Sequence, residues 1–248
     1  MAASTKKDKK TITKVQGSID YIIKKYNLIS PNDRIAIGLS GGADSLVLLE
    51  NLARIKKYFF PTIELVAIHI NLTNIPYKTN KTLLKNICNN LNIRLLYIEK
   101  EIPYNKEKIK NNPCFICSWN RRKILYKQTK IMKFNKLALG HNLNDNAQTF
   151  LLNLLYNNSI SALPYKLRMF NGRLEIIRPL LELPEYIIRE YAKIKNLEIP
   201  IKKCEYDQQN KRKELTEILD IMKKYVPNPE IKILKALKNI KLEYLPTE

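Results

Sequence analysis

Three groups of residues in this chain could do chemistry. The first is Ser40-Gly-Gly-Ala-Asp-Ser45, which sets two hydroxyls, bare glycine amides and one carboxylate side by side. Gly41 and Gly42 allow a backbone approach that no side chain would permit. A helix starting behind them would aim unpaired N–H groups and the positive end of its dipole at an anion. A carboxylate facing phosphates needs a cation between them, so Asp44 reads as a magnesium ligand. Neither of the two commonest nucleotide loops is present: GxxxxGK[ST] lacks its lysine here and GxGxxG does not occur. The plain alternative is a strand–turn–helix corner in which Asp44 and Ser45 cap the helix.

The second group is Cys114 and Cys117, with Cys204 far downstream. Two thiols separated by two residues suit structural zinc, a redox pair or an iron–sulfur site. Structural zinc closes four ligands, and only three are evident, which would leave one iron of a cubane cluster open. Cys88, in the middle of Leu83-Leu-Lys-Asn-Ile-Cys88, reads as a small buried hydrophobe. A disulfide framework does not suit a reducing cytoplasm. The third group is Gly140-His-Asn-Leu-Asn-Asp-Asn-Ala-Gln-Thr149, where Asp145 and Gln148 make an Asp-x-x-Gln helix-start pattern ahead of Phe150-Leu-Leu.

The elements that must position these groups follow from periodicity. Short β-branched runs at Ile35–Leu39, Ile63–Ile70, Arg94–Ile98 and Lys136–Leu139 read as strands, with helices at 15–28, 45–57 and 80–91 between or before them. This alternation predicts a parallel sheet with helices on both faces, with ligands beyond the carboxyl ends of the strands. The loops after Leu39, Ile68 and Leu139 then share one edge. His69 ends the second strand there, and a histidine simply satisfied at a strand end is an equal reading of its side chain. Leu167 to Ile177 reads as a hairpin with a type I′ turn at Asn171-Gly172, followed by Arg178-Pro-Leu180. Pro184 opens a helix through about Lys195, and amphipathic helices follow at 211–224 and 230–241. Residues 1–13 read as a flexible basic tail, 14–180 as the domain carrying all three motifs, and 181–248 as a helical extension bearing Cys204.

With 44 Lys and Arg against 23 Asp and Glu, the net charge is +21. Such an excess suits a polyanionic partner, although a composition rich in Lys, Ile and Asn would also make any surface basic. No apolar run reaches a membrane span and no signal-type h-region follows the N-terminal lysines, so a soluble, cytoplasmic protein without membrane association is expected.

The Ser40–Ser45 loop resembles the SGGxDS signature of the PP-loop ATP pyrophosphatase superfamily. The rest of the pattern, CxxC after the third strand, Ser118 and Arg121-Arg122-Lys123 behind it, a GHxxDDxxQT-like segment, Arg178-Pro-Leu180 and a lone later cysteine, is similar to its tRNA 2-thiocytidine synthetase branch from about Arg34 to about Leu219. That resemblance implies an α/β fold with a parallel five-stranded sheet (adenine-nucleotide alpha-hydrolase-like) and C-terminal helices. It implies ATP and Mg at Ser40, Gly41, Gly42, Asp44, Ser45, His69, Gly140, His141 and Asp145. It further implies a 4Fe-4S cluster on Cys114, Cys117 and Cys204 whose unique iron carries the incoming sulfur. Arg121, Arg122, Lys123 and Arg178 become candidate tRNA contacts, against a solvated helix face or a sheet-edge ion pair.

The activity implied is adenylation of C2 of a tRNA cytidine, at position 32, and replacement of its oxygen by sulfur from a cysteine desulfurase; a homodimer is compatible with it. Ala43, Asn142 and Asn144 depart from the branch pattern. A lysidine-synthetase-like amine ligase, another cluster-dependent PP-loop enzyme and a zinc-stapled RNA-binding module are the competing readings.

Overall fold

The computed structural model describes residues 5–75, 78–101, 113–198, 201–202 and 211–246. Along the chain run α1 (Lys6–Lys25), β1 (Arg34–Gly38), α2 (Ala43–Tyr58), β2 (Glu64–Leu72), β3 (Lys78–Thr79), α3 (Lys81–Asn90) and β4 (Arg94–Lys100). Then come α4 (Pro113–Ile131), β5 (Lys136–Ala138), α5 (Leu143–Tyr156), β6 (Lys166–Met169), β7 (Leu174–Ile177), α6 (Glu185–Ile194), β8 (Ile201–Lys202), α7 (Lys211–Lys223) and α8 (Pro229–Leu237).

The main sheet has the order β4-β2-β1-β5-β7-β6. The five expected parallel strands are β4, β2, β1, β5 and β7. The sheet is nevertheless six-stranded, because the hairpin adds β6 antiparallel at one edge. Its turn is the expected one: Asn171 and Gly172 have φ of +57° and +81°, and the Arg173 N–H donates to the Phe170 carbonyl at 3.3 Å. Strand order reverses at β1 and β5, and such a switch point opens a crevice for ligands beyond the carboxyl ends.

Burial follows the period of two that a pleated strand imposes. Ile35, Ile37, Leu65 and Ala67 join α1, α2, α3 and α6 in one core, while Ala36, Val66, Ile68 and Leu137 face α4 in another. A third cluster joins Ala147 and Leu151 of α5 to α7 and α8. Ile187, Ile188 and Tyr191 of α6 lie in the first core, so the helix just past residue 181 shares its packing with the motif-bearing part of the chain.

The flexible tail expected over 1–13 is corrected from Lys6 onward, where α1 starts; residues 1–4 lie outside the described residues. Thr5 and Asp8 form a reciprocal capping box, and Thr11 reaches Glu190 of α6. Lysine density hid a helix whose amino end is closed by a capping box. At the opposite edge of the sheet from the motif loops, buried Lys136 Nζ meets Asp33 at 2.9 Å, Glu175 at 3.3 Å and the Leu28 carbonyl at 2.7 Å. No described helix is long and apolar enough to cross a membrane.

Candidate active site

β1 ends at Gly38 and delivers the chain to the glycine turn that starts α2. Gly41 takes φ +94°, and a Cβ there would lie 2.7 Å from the Thr79 methyl, so both its backbone angle and its neighbour require glycine. Ser45 holds the loop from inside: its hydroxyl accepts from the Gly41 N–H at 3.1 Å and the Ser40 hydroxyl at 3.1 Å, and donates to the Gly42 carbonyl at 2.9 Å. Ser45 is buried, and these bonds make it the loop's latch. Gly42 is the N-cap of α2 and offers no side chain to the first-turn amides. Asp44 and Ser45 lie past it, inside the helix, so the capping alternative for them does not hold.

The other helix on this edge has a different amino end. Asn142 caps α5: its Oδ1 accepts from the Asp145 N–H at 3.0 Å, and Asp145 Oδ2 accepts from the Asn142 N–H at 3.1 Å. The box therefore sits one turn earlier than the Asp145–Gln148 pair expected from sequence, and Gln148 instead donates to Thr216 on α7. Of the two helix starts on this edge, α2 is the one left open to an anion. Gly140 packs directly on it, since a Cβ would sit 3.1 Å from the Asp44 carbonyl carbon and the Ser45 nitrogen.

Asn142 has a second task, because its Nδ2 donates to Asp44 Oδ1 at 3.0 Å. Burial pushes the Asp44 carboxyl up to about 6, aided by the charges of Asp145 and Glu185 and opposed by that Asn142 bond. A buried hard oxygen donor in the first turn of α2, in a field made negative by Asp145 and Glu185, is one that a divalent cation would relieve. The Asp44 carboxylate thus fits magnesium as a single protein ligand.

His69 is buried between strands. Its Nδ1–H donates to the Leu39 carbonyl at 2.7 Å, its Nε2 contacts Thr79 Oγ1 at 3.0 Å, and its ring stacks on Tyr97 with centroids 4.9 Å apart. Burial, with the nearby Arg121 charge, holds its pKa below the ordinary 6.5, so a neutral ring accepts from the Thr79 hydroxyl. The His69 imidazole therefore ties β1, β2 and β3 together at this edge. His141 Nδ1 accepts from Arg178 Nε at 3.2 Å, while Arg178 Nη1 donates to the Pro164 carbonyl at 2.7 Å. Burial lowers the Arg178 pKa, and the Arg122 charge adds to it. Arg121 and Arg122 of α4 thus bear on the same edge as His69 and Arg178. Lys123 stands apart, its ammonium 5.0 Å from the Trp119 ring centre.

The cysteines divide. Cys88 is fully buried, and burial pushes its thiol up to about 11, which suits the small-hydrophobe reading. Cys117 is half-buried on α4, one turn before Arg121. Cys114 begins the same helix, and Cys204 lies outside the described residues. Among the described residues no three His, Cys, Asp or Glu side chains form a metal-sized group. The two-stranded ladder of β3 with β8 brings Ile201–Lys202 beside Lys78–Thr79, at the strand whose Thr79 touches Gly41.

Sequence reasoning missed Asn142 and Thr79 as parts of this site. The spacing Asn142-x-x-Asp145 was available as a capping signal. Thr79 carried none, because a two-residue strand has no periodicity to read.

The chain is similar to known proteins in both sequence and fold. The PP-loop domain family matches residues 11–220. The chain is similar to tRNA-cytidine(32) 2-sulfurtransferase 2 of Francisella tularensis subsp. holarctica (strain FTNF002-00 / FTA), 34% identical over 94% of this chain and 90% of the relative. It is also similar to the tRNA-cytidine(32) 2-sulfurtransferase of Acaryochloris marina, at 30% identity over 97% and 86%. Among solved structures, the U34-tRNA thiolase NcsA from Methanococcus maripaludis with its [4Fe-4S] cluster superposes with a TM-score of 0.77. It is 25% identical and is matched over 97% of this chain and 82% of that one. With the loop, the capped second motif and the parallel sheet in agreement, the chain belongs to the PP-loop ATP pyrophosphatase superfamily, in its tRNA 2-thiocytidine synthetase branch.

Proposed function

We propose that this chain is an ATP-dependent tRNA sulfurtransferase that converts a cytidine, at position 32 of the anticodon loop, to 2-thiocytidine. The observation that carries the reading is the open amino end of α2 with Asp44 beside it, taken with relatives named for this reaction.

The cytosine C2 oxygen is a poor leaving group, so ATP must first convert it. That oxygen attacks the α-phosphorus, the bond to the departing pyrophosphate breaks, and an adenylated C2 oxygen results. The first-turn amides of α2 would hold the pyrophosphate where charge develops, in the manner of an oxyanion site. Asp44, oriented by Asn142, would hold magnesium against it. Gly140 keeps the second motif close enough for Asn142 to reach Asp44. Sulfide then bonds to C2, the C2–O bond breaks, and AMP leaves with the oxygen.

For the sulfur, thiolate donors suit iron–sulfur ligation. Cys114 and Cys117 stand three residues apart at the start of α4, and Cys204 follows β8 by two residues. When bound, a 4Fe-4S cluster on these three would supply the centre from which sulfide is delivered; sulfane sulfur from a cysteine desulfurase would reach the sulfide level with two electrons from a thiol reductant. The NcsA likeness supports this assignment.

The test is anaerobic purification with iron, sulfide and zinc analysis, followed by nucleoside mass spectrometry of tRNA incubated with ATP and sulfide. A brown protein with about four irons and ATP-dependent 2-thiocytidine is the expected outcome, with Cys117→Ser folded but lacking both iron and thiolation. Zinc or no metal, with tRNA left unthiolated, would move the weight to an amine ligase or a binding module.

A further inference from the structure

On the face of the sheet covered by α4, a cavity of about 760 Å³ opens between that helix and the β6–β7 hairpin. Lys123, Lys127 and Lys130 recur along one face of α4 at helical spacing, and Lys133 and Arg173 continue the row toward the opposite edge of the sheet. Among the described residues, no acidic side chain lines the cavity. Nearby cations are treated differently: Lys136, Lys166 and Arg168 all share Glu175, whereas among the described residues none of the five lining cations has a carboxylate partner. Holding five like charges together without counter-charge costs stability unless a polyanion completes them.

The same walls carry aromatic rings. Tyr126 and Phe170 meet edge to face with centroids 6.2 Å apart, and Phe134 forms the floor. Phe170 is 56% exposed and takes φ +53°, ahead of the two left-handed residues of the turn. A bulky residue in that region is strained, and strain of this kind is kept where a side chain must be presented. Cations on successive turns of a helix beside an exposed ring are a combination that unpaired nucleic acid uses, with charge tracking the backbone and a base stacking on the ring. Tyr126 lines this cavity, where burial raises its pKa against the Arg122 and Arg178 charges within reach of it, which lower it.

We propose that the groove between α4 and the β6–β7 hairpin is a docking site for an unpaired RNA segment of the substrate tRNA, gripped by Lys127, Lys130 and Arg173 and stacked on Phe170. The proposal rests on the sulfurtransferase reading above for the identity of the RNA, and on the groove for its location.

The experiment measures equilibrium binding by the full chain of a transcribed tRNA, an unpaired RNA oligonucleotide and the corresponding RNA duplex, across a series of salt concentrations. Lys127→Glu with Lys130→Glu should weaken tRNA binding at least tenfold. It should also flatten the dependence of log K on log salt by about 1.4, the value for two lost single-strand phosphate contacts. Phe170→Gly should weaken binding of unpaired RNA roughly tenfold while raising the melting temperature, since glycine tolerates the left-handed backbone. That opposite movement separates a presented ring from a misfolded variant. Unchanged affinity in both variants would overturn the groove, as would equal preference for duplex or equal competition by polyglutamate. A wild-type chain that thiolates tRNA while the groove variants bind it normally would sink the docking site alone; a wild-type chain that binds no tRNA would sink both readings.

Discussion

Asp44 is held against its own ionisation. Its carboxyl titrates near about 6 in the folded chain against an ordinary 3.8, so the folded state binds that proton more tightly than the unfolded one. Stability is therefore lost as pH rises from 3.8 to about 6 and stays lost above it. We expect Asp44→Asn, in the presence of a chelator, to be more stable than the parent at pH 8 by on the order of 3 kcal/mol. The gap should shrink in more acidic buffer, and ATP-dependent turnover should disappear at every pH. Denaturant titrations at a series of pH values check this, and equal stability at pH 8 would remove the strain from Asp44. At this scale the sequence was informative about type and less so about task. The loop residues were legible because glycine, hydroxyl and carboxylate at that spacing suit an anion. Ser45 reads identically whether its hydroxyl meets phosphate or, as here, the Gly41 amide and the Gly42 carbonyl.

Among the elements, strands and helices with a hydrophobic period were readable to within a few residues, as was the Asn171-Gly172 turn. What escaped were features whose information lies in the partner. The amino end of α1 is fixed by a four-residue box and by Glu190 far along the chain. The start of α5 is set by Asn142, which also reaches Asp44 across 98 positions. The packing of the β5–α5 connection against α2 is equally non-local, and it yields a prediction. Gly140→Ala would press a methyl against the backbone of Asp44 and Ser45, atoms that cannot swing aside as a side-chain tip would. We expect about 1–3 kcal/mol of destabilisation and ATP binding weakened at least tenfold, read by calorimetry. Full-strength nucleotide binding in that variant would mean that the two motifs need not touch.

Across the whole molecule, the net charge of +21 does not describe an even coat. Some cations are bound into ion pairs at the edges of the sheet, as Arg34 is with Glu64 and Lys136 with Asp33. Lys123, Lys127 and Lys130 of α4 have no carboxylate partner among the described residues, so charge that composition alone could attribute to codon bias acquires a direction. Composition had no means of showing this, because pairing is a property of the fold.

The β3–β8 ladder joins residues more than a hundred positions apart through strands of two residues each. Closing so long a chain loop for so few bonds is entropically costly, and such a contact opens well before the central strands do. The consequence is kinetic: Thr79, which covers Gly41 and bonds His69, behaves as a clasp that closes after the main sheet has already formed. Amide hydrogen exchange should then be faster at Thr79 than at Ile35–Ile37, and ATP should slow it there while leaving the strand unchanged. If Thr79 exchanges as slowly as β1 without nucleotide, the clasp is permanent and ligands must enter by another path.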